Sequence, residues 1–349
     1  SKAGIKYARS SSSWAGFESG SNKTINYARS AMWMPKLYAN GISHILMLSY
    51  NNTLYADKIM SGIVSKDNTI AYGDYAKAML EKYPHIKTVE IWNEPDMNGF
   101  WIGNTPGENY TDYTDLLKYT STELNKYRND INIIGGVIAQ TWTTDMLSGM
   151  LQNGAYGYMD SVSVHGYNYP NRIDEEFFEK RFVTHKNLLS EYGGWKRLII
   201  TEIGAPTGTG QSSVSEKDQA RDVIMSYLLT DKFGLDGCMV YVLTNPGIKE
   251  NDREAMFGVL RNTFEPKPAY IAVNQMNSAL GGALYIGDIM LGEHVTAGVY
   301  HNNGVPLMVV WNKTKNNVET IAVPEDIVEI KDLLGKNVTV KDNITVGSE

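Results

Sequence analysis

The chain has 349 residues, of which 42% are hydrophobic and 20% are charged; this composition predicts one large packed domain, or a barrel with a small appendage, rather than a disordered chain. Its net charge of −7 argues against nucleic-acid or anionic-membrane partners, whose binding surfaces need a basic excess, and no run of about 18 apolar residues predicts a membrane span. The single cysteine, Cys238, lies in an apolar run, which predicts a buried, inert thiol.

Short apolar runs alternate with longer helical patterns through most of the chain. Such alternation is typical of a parallel sheet that is covered by helices on both faces. The predicted strands are Ile5–Ala8, Ser43–Ser49, Thr88–Trp92, Ile131–Ala139, Asp160–His165, Leu198–Ile203 and Gly237–Leu243. The predicted helices are Thr24–Ala39, Tyr72–Lys82, Tyr110–Tyr127, Asp174–Glu191 and Ser215–Lys232.

Most predicted strands end in polar or aromatic residues, such as Tyr50–Asn52 and His165–Tyr167. Open α/β sheets and closed barrels both place their chemistry at these ends. An open doubly wound sheet is the rival architecture, but no glycine-rich phosphate loop follows a strand, and the polar ends are spread along the whole chain. We therefore predict the α/β class and a (β/α)₈ TIM barrel over residues 1–278. Seven strands are visible, so either the first βα unit is missing or another segment takes its place.

The pattern changes after Ser278, where no long helical pattern is evident. Short β runs separated by turns predict a small antiparallel, sandwich-like β domain over residues 279–349. The predicted strands are Val295–Tyr300, Pro306–Trp311, Val318–Val323, Val328–Lys331 and Asn337–Val340, with no obvious closing strand after them.

Two glutamates stand out at the ends of predicted strands. The first, Glu94, lies in the segment Glu90–Asp96, where Pro95 stops the strand because it lacks an N–H group. The carboxyl of Glu94 is then placed at a strand exit, where it can point into a cleft. The second, Glu202, closely follows an apolar run. Because burial of a lone carboxylate is costly, Glu202 must be paired, protonated or facing a polar cavity.

The two glutamates together are typical of one chemistry. At strand ends three βα units apart, they lie across the mouth of a closed barrel. Cleavage of a glycoside needs one carboxylic acid to protonate the leaving oxygen and a second carboxylate to attack the anomeric carbon or to activate water. Unlike surroundings can give the two groups the different pKa values that these roles require. The pair predicts a glycoside hydrolase, with roughly 5–6 Å between the carboxyls of Glu94 and Glu202.

In these motifs the sequence resembles the retaining glycoside hydrolases of clan A, and in the order of its segments it is most similar to family 39 and related exopolysaccharide-degrading glycosidases. The clan places an Asn-Glu pair after the fourth barrel strand and a second glutamate after the seventh. The resemblance covers most of residues 4–275, including Phe100–Trp101, Ile134–Gly136 and Pro266–Tyr270. It implies that Ile5–Ala8 is the second barrel strand and that the first is missing.

The resemblance also implies roles for single residues. Glu94 would be the acid/base, Glu202 the nucleophile, and Asn93 the partner of the sugar 2-OH in the −1 subsite. Arg9 resembles the arginine that the clan keeps on strand two beneath the nucleophile. Further substrate-binding candidates are His165 and Tyr167 beside the nucleophile, Tyr241 where many members have a tryptophan platform, Trp14, Trp101 and Trp142 as stacking rings on loops, and Asn51 with Tyr50 at a strand end.

The reaction that the resemblance implies is a two-step hydrolysis with retention of configuration. No cofactor or metal is expected, because the six histidines show no metal-ligand spacing. The expected substrate is a polysaccharide or oligosaccharide, and an extracellular or cell-surface location follows from that substrate, not from a targeting signal. Two alternatives stay open: a non-catalytic glycan-binding protein on a glycosidase scaffold that lacks a strand, and a transglycosylase that uses the same residues.

Overall fold

The computed structural model describes residues 4–20, 22–103, 109–314 and 317–347. The chain divides into two compact units. Unit 1 comprises residues 5–166 and 179–202; unit 2 comprises residues 167–178, those from 203 onward and a few at the N-terminus. The predicted domain boundary at residue 278 stays a prediction. No helix among the described residues is long and apolar enough to cross a membrane.

Unit 1 contains a sheet of six strands. They are β1 (Tyr7–Ser13), β2 (Ser43–Ser49), β3 (Thr88–Ile91), β4 (Asn132–Ile138), β5 (Ser161–Gly166) and β6 (Arg197–Ile203). Their order in the sheet follows the chain, and the pairs from β1 to β5 are parallel. Helices alternate with these strands, as in a TIM-barrel-like α/β fold.

The main helices of unit 1 follow the predicted alternation, with one error. The predicted helix Thr24–Ala39 is wrong, because Thr24–Ile25 pairs with Glu18–Ser19 as a short strand and Pro35 starts a new helix at Met34. The helices are α1 (Lys66–Lys82), α2 (Asn109–Tyr127), α3 (Asp145–Gln152) and α4 (Thr184–Gly193), with shorter ones at Trp14–Phe17, Ala28–Ala31, Met34–Ala39 and Ala155–Tyr158 and a π-helical turn at Glu179–Val183.

Strand β1 is more polar than the predicted Ile5–Ala8. It continues through four serines, which pair in parallel with β2. The hydroxyl of Ser11 bonds Ser49 at 2.6 Å, and that of Ser10 bonds His44 at 2.7 Å. Because these hydroxyls find partners, a polar run can pair as a strand. β1 is the end strand of the sheet, and the described residues include no strand before it.

Unit 2 contains β7, the seventh predicted strand of the α/β pattern, and a set of antiparallel strands. The strands β8 and β12 were not predicted, and β12 pairs with β11. β8, β9 and β10 form a three-stranded antiparallel sheet. The elements are helix Glu175–Phe178, α5 (Glu216–Lys232), β7 (Gly237–Val240), helix Arg253–Met256, α6 (Pro268–Leu280), β8 (Leu284–Met290), β9 (Val295–Asn302), β10 (Val305–Asn312), β11 (Glu319–Ala322), the pair Ile330–Lys331 and Asn337–Val338, and β12 (Asn343–Val346).

Candidate active site

Polar residues that lie in the strands of unit 1, or directly follow them, meet in one place. Parallel strands present their carboxyl ends at the same edge of a sheet, so side chains from distant parts of the chain converge there. The charged cluster consists of Arg9 on β1, Glu90 on β3, Glu94 just after β3, His165 on β5 and Glu202 on β6.

The two predicted catalytic glutamates lie side by side. One carboxylate oxygen of each and one ring nitrogen of His165 all lie within 4.8 Å of one another. The side chains of Glu94 and Glu202 are 12% and 13% exposed, whereas that of His165 is fully buried. Both carboxylates therefore reach solvent, as groups that act on a substrate must.

Arg9 links the members of this cluster. Its Nε donates to Glu90 Oε2 at 2.5 Å, its Nη1 bonds Glu202, and its Nη2 donates to Asn93 Oδ1 at 2.9 Å. Burial alone lowers the pKa of Arg9, but Glu90 and Glu202 outweigh that effect, and the pKa is raised. The guanidinium stays charged and stabilises the anionic form of Glu202.

His165 lies between the two glutamates. Its Nδ1 is 2.7 Å from Glu94 Oε1 and 3.7 Å from Glu202 Oε2, and its Nε2 is 3.1 Å from Thr201 Oγ1. Burial alone lowers the pKa of His165, but the charge of Glu202 and the hydrogen bond with Glu94 raise it above its usual value. The ring therefore orients Glu94 and holds a proton at a higher pH than a free histidine does.

The backbone around Glu94 adopts a conformation that is rare for residues with a side chain. The φ angles are 71° at Trp92, 50° at Glu94 and 53° at Val137 on β4. The N–H of Glu94 donates to the carbonyl of Val137 at 3.1 Å, and Asp96 accepts two backbone N–H groups that follow β4. Residues held in such strained conformations cluster at active sites.

Asn93 has both ends of its amide fixed by neighbours. Its Oδ1 accepts from Arg9, and its Nδ2 donates to the hydroxyl of Tyr50 at 3.0 Å. Burial raises the pKa of Tyr50, so its phenol stays neutral. The amide nitrogen carries a second N–H, as the predicted bond to a sugar 2-OH requires.

Two of the predicted stacking rings belong to the core instead. Trp14 has no exposed surface, because its ring packs between Tyr55 and Tyr75 with centroids 4.8 and 5.9 Å away. Trp101 is equally buried, with its ring 4.9 Å from that of Trp92. An enclosed ring offers no face to a sugar, so the structure does not support the prediction that Trp14 and Trp101 bind substrate. Sequence alone could not tell which loop rings turn inward.

Asn51 is also a structural residue. It is fully buried, donates to the carbonyl of Ser61 at 3.0 Å and accepts from the side chain of Asn68 at 3.1 Å. Its amide is occupied in holding the loop after β2, which does not support the predicted substrate contact. Trp142, in contrast, is 62% exposed, and its ring lies 5.4 Å from the guanidinium of Arg181 beside a shallow groove.

Tyr167 and Tyr241 lie in unit 2. Their rings are 6.5 Å apart, and both pack against Phe257, at 5.8 and 5.3 Å. The predicted place of Tyr167 beside the nucleophile, and that of Tyr241 at the tryptophan platform, stay predictions.

Glu94, His165 and Glu202 are also the one group, within the described part of the chain, whose donor atoms lie close enough to share a metal ion. Within this group the ring of His165 bonds Glu94, and Arg9 bonds Glu202.

Sequence reasoning missed Glu90 and Thr201 as members of the site. Glu90 is fully buried on β3 and contacts Arg9. An available signal was its position: it is a charged residue inside an apolar strand, four residues before Glu94.

Comparisons with known proteins bear on the fold of this chain. No family model and no curated protein matches the sequence, but solved structures do resemble its fold. A family 39 glycoside hydrolase from the gut symbiont Bacteroides cellulosilyticus WH2 matches over 99% of this chain and 74% of its own, with a TM-score of 0.85 and 19% identity. A monomeric beta-xylosidase from Caulobacter crescentus CB15 matches over 86% of this chain and 68% of its own, with a TM-score of 0.63 and 15% identity. A glucosidase from Croceicoccus marinus matches over 99% of this chain and 75% of its own, with a TM-score of 0.63 and 13% identity. At such identities the likeness shows the fold alone.

Proposed function

We propose that this chain is a retaining glycoside hydrolase of clan A, related to family 39. The observation that carries the proposal is the closeness of Glu94 and Glu202: one carboxylate oxygen of each lies within 4.8 Å of the other. The carboxyls are about 5–5.5 Å apart in retaining glycosidases and about 6.5–9.5 Å apart in inverting ones, where a water molecule must fit between them. The short spacing favours direct attack by a carboxylate.

The unequal partners of the two glutamates assign their roles. Glu202 accepts a hydrogen bond from the Arg9 guanidinium, which favours a negative charge on it. Glu94 bonds the ring of His165 instead. Glu202 is therefore the nucleophile and Glu94 the acid/base.

The reaction follows from these roles. Glu202 attacks the anomeric carbon, and the bond to the leaving oxygen breaks as Glu94 gives that oxygen a proton. The product of this step is a glycosyl ester on Glu202. Glu94, now a carboxylate, takes a proton from water, and the resulting oxygen displaces Glu202 from the anomeric carbon.

The proposed substrate is a poly- or oligosaccharide, and the proposed location is outside the cell or at its surface. The amide of Asn93 is suited to bind the 2-OH of the sugar, since its orientation is fixed by Arg9 and Tyr50. A glycosidase gains from such a bond because it strengthens in the transition state.

A panel of 2-deoxy-2-fluoroglycosyl fluorides tests the proposal. These probes form the glycosyl enzyme quickly and release it slowly, so that intact-protein mass spectrometry shows one added sugar. We expect one probe to label the protein, peptide mapping to place the sugar on Glu202, and Glu202→Gln to abolish the label.

Other outcomes separate the alternatives. Saturable binding of glycans without labelling by any probe would support the non-catalytic glycan-binding protein. Labelling of Glu94 would reverse the two roles. Transfer products in place of free sugar, at high acceptor concentration, would identify a transglycosylase.

A further inference from the structure

Glu90 is a buried acid that the proposed mechanism does not use. Its side chain has no exposed surface, and in the sheet it pairs with Met47 on β2 and Ile134 on β4. Its Oε2 accepts from Arg9, whereas Oε1 is buried with no hydrogen-bond partner within the described residues. A carboxylate held in such surroundings costs free energy, and a neutral glutamine could accept the same hydrogen bond.

The position of Glu90 explains why a charge is kept there. Arg9 has carboxylates on two sides, Glu90 at Nε and Glu202 at Nη1. The guanidinium is planar and rigid, so fixing its Nε edge also sets where its two Nη groups point. Glu90 thereby directs the other edge toward Glu202 and Asn93. It also balances part of the Arg9 charge, which would otherwise act on Glu202 alone.

We infer that Glu90 is a positioning residue: through Arg9 it orients the nucleophile Glu202 and keeps the arginine from over-stabilising the carboxylate. The inference rests on the proposed function for its kinetic consequences. The coupling between Glu90 and the rest of the cluster does not depend on it. Among the described residues, the titratable and charged groups that face Glu202 include Arg9 from β1, Tyr50 after β2, Glu94 after β3 and His165 from β5.

Two substitutions separate the effect of the negative charge of Glu90 from the effect of its side-chain length. Glu90→Gln keeps the length of the side chain and an acceptor for Arg9 but removes the negative charge. Glu90→Asp keeps the charge but shortens the side chain by one methylene. A matched control is Glu18→Gln, which neutralises another buried acid of unit 1, one that bonds Trp14 and Tyr55 outside the charged cluster.

The pH profile of kcat/KM, measured with the aryl glycoside that the wild type hydrolyses best, reports how the charge of Glu90 affects the ionisation of its neighbours. Removing a negative charge favours the deprotonated form of its neighbours, so Glu90→Gln should shift the acid limb to lower pH by about one unit. Its kcat/KM at neutral pH should fall about tenfold, because the nucleophile is over-stabilised. Glu90→Asp should lose about tenfold in kcat/KM through misplacement of Arg9, with its acid limb close to that of the wild type. Glu18→Gln should change neither.

An NMR titration of His165 tests the coupling without any substrate. With histidine labelled by ¹⁵N, and the signal assigned by its loss in His165→Gln, the titration of this ring should move to lower pH in Glu90→Gln and stay unchanged in Glu18→Gln. If no glycoside is hydrolysed by the wild type but the ring titration shifts, the proposed function fails and the coupling stands. Unchanged ring titration and acid limb in a folded Glu90→Gln would overturn the inference, as would wild-type kcat/KM in Glu90→Asp.

Discussion

Two buried cations of this chain have opposite surroundings. Arg9 in unit 1 lies between the carboxylates of Glu90 and Glu202. Lys267 in unit 2 is 1% exposed, and its Nζ donates to three neutral oxygens. These acceptors are Thr207 Oγ1 at 2.8 Å, Asn245 Oδ1 at 3.0 Å and the Met256 carbonyl at 3.2 Å, and together with Lys267 they form the lysine cluster.

The difference shows what makes a buried charge useful for chemistry. Burial lowers the pKa of Lys267 to about 8, because its neutral partners do not offset the loss of water. The pKa of Arg9 is raised instead, because two carboxylates outweigh the same effect. In the charged cluster the ionisable groups act on one another, and two of them reach solvent. The lysine cluster instead joins two loop residues to the end of the helix Arg253–Met256, and each N–H of the ammonium group has an acceptor.

The largest effect expected is from Glu202→Ala. Loss of the nucleophile should reduce kcat/KM on the best aryl glycoside roughly 10⁴-fold or more, as for other covalent nucleophiles. The control is Glu216→Ala, which breaks a partly exposed ion pair with Arg261 and should leave turnover almost unchanged. Near wild-type activity in Glu202→Ala would remove the charged cluster from catalysis.

Glu94→Ala should have the next largest effect, and one that depends on the leaving group. Loss of the general acid should cost about 10²- to 10⁴-fold on substrates with poor leaving groups, and much less on dinitrophenyl glycosides, which depart without a proton. Azide should restore turnover and give a glycosyl azide of retained configuration. An equal loss on all leaving groups, without azide rescue, would contradict the acid/base role.

Lys267→Met should affect stability. Three acceptors lose their bond to the buried ammonium group, so the free energy of unfolding in urea should fall by about 2–4 kcal/mol. The exposed Lys249→Met is the control. Because the pKa of Lys267 is depressed from 10.5 to about 8 in the folded state, the unfolded state binds more protons between these values, and the wild type should gain stability as pH rises across that window. If the free energy of unfolding changed with pH in the same way in the wild type and in Lys267→Met, the account of Lys267 as a buried charge would be contradicted.

Trp142→Ala should have the smallest effect, since this exposed ring belongs to neither cluster. If it stacks on a sugar of a longer chain, KM for a polysaccharide should rise roughly 2- to 10-fold, with kcat on an aryl monosaccharide unchanged. Trp195→Ala, a second exposed tryptophan of unit 1 (70% exposed), is the control. Equal KM values for the two variants would leave Trp142 without a role in binding.

The catalytic candidates could be found from sequence because acids at the ends of apolar strands break a regular pattern. Apolar runs that alternate with helical patterns located the seven strands of the α/β pattern. The parallel order of these strands then predicted that Glu94 and Glu202 would meet. The predicted bounds were wrong at β1, which runs on through serines whose hydroxyl groups bond neighbours on β2.

Side-chain direction was beyond the reach of sequence reasoning. Trp14 and Trp101 lie in segments that read as loops, yet both turn into an aromatic core, and Asn51 is occupied by loop contacts. Glu90 was passed over because one charge inside a strand is also consistent with an ordinary surface residue. Its contact with Arg9 depends on register between β1 and β3, which residue order alone does not fix.

The configuration of the first product tests the central claim most directly. With the aryl glycoside that the wild type hydrolyses best, ¹H NMR during the first minutes resolves the anomeric proton of the released sugar before mutarotation. Two displacements at one carbon, by Glu202 and then by water, predict that the first sugar formed has the configuration of the substrate. A first product of inverted configuration would show that water attacks directly, and would contradict Glu202 as the nucleophile.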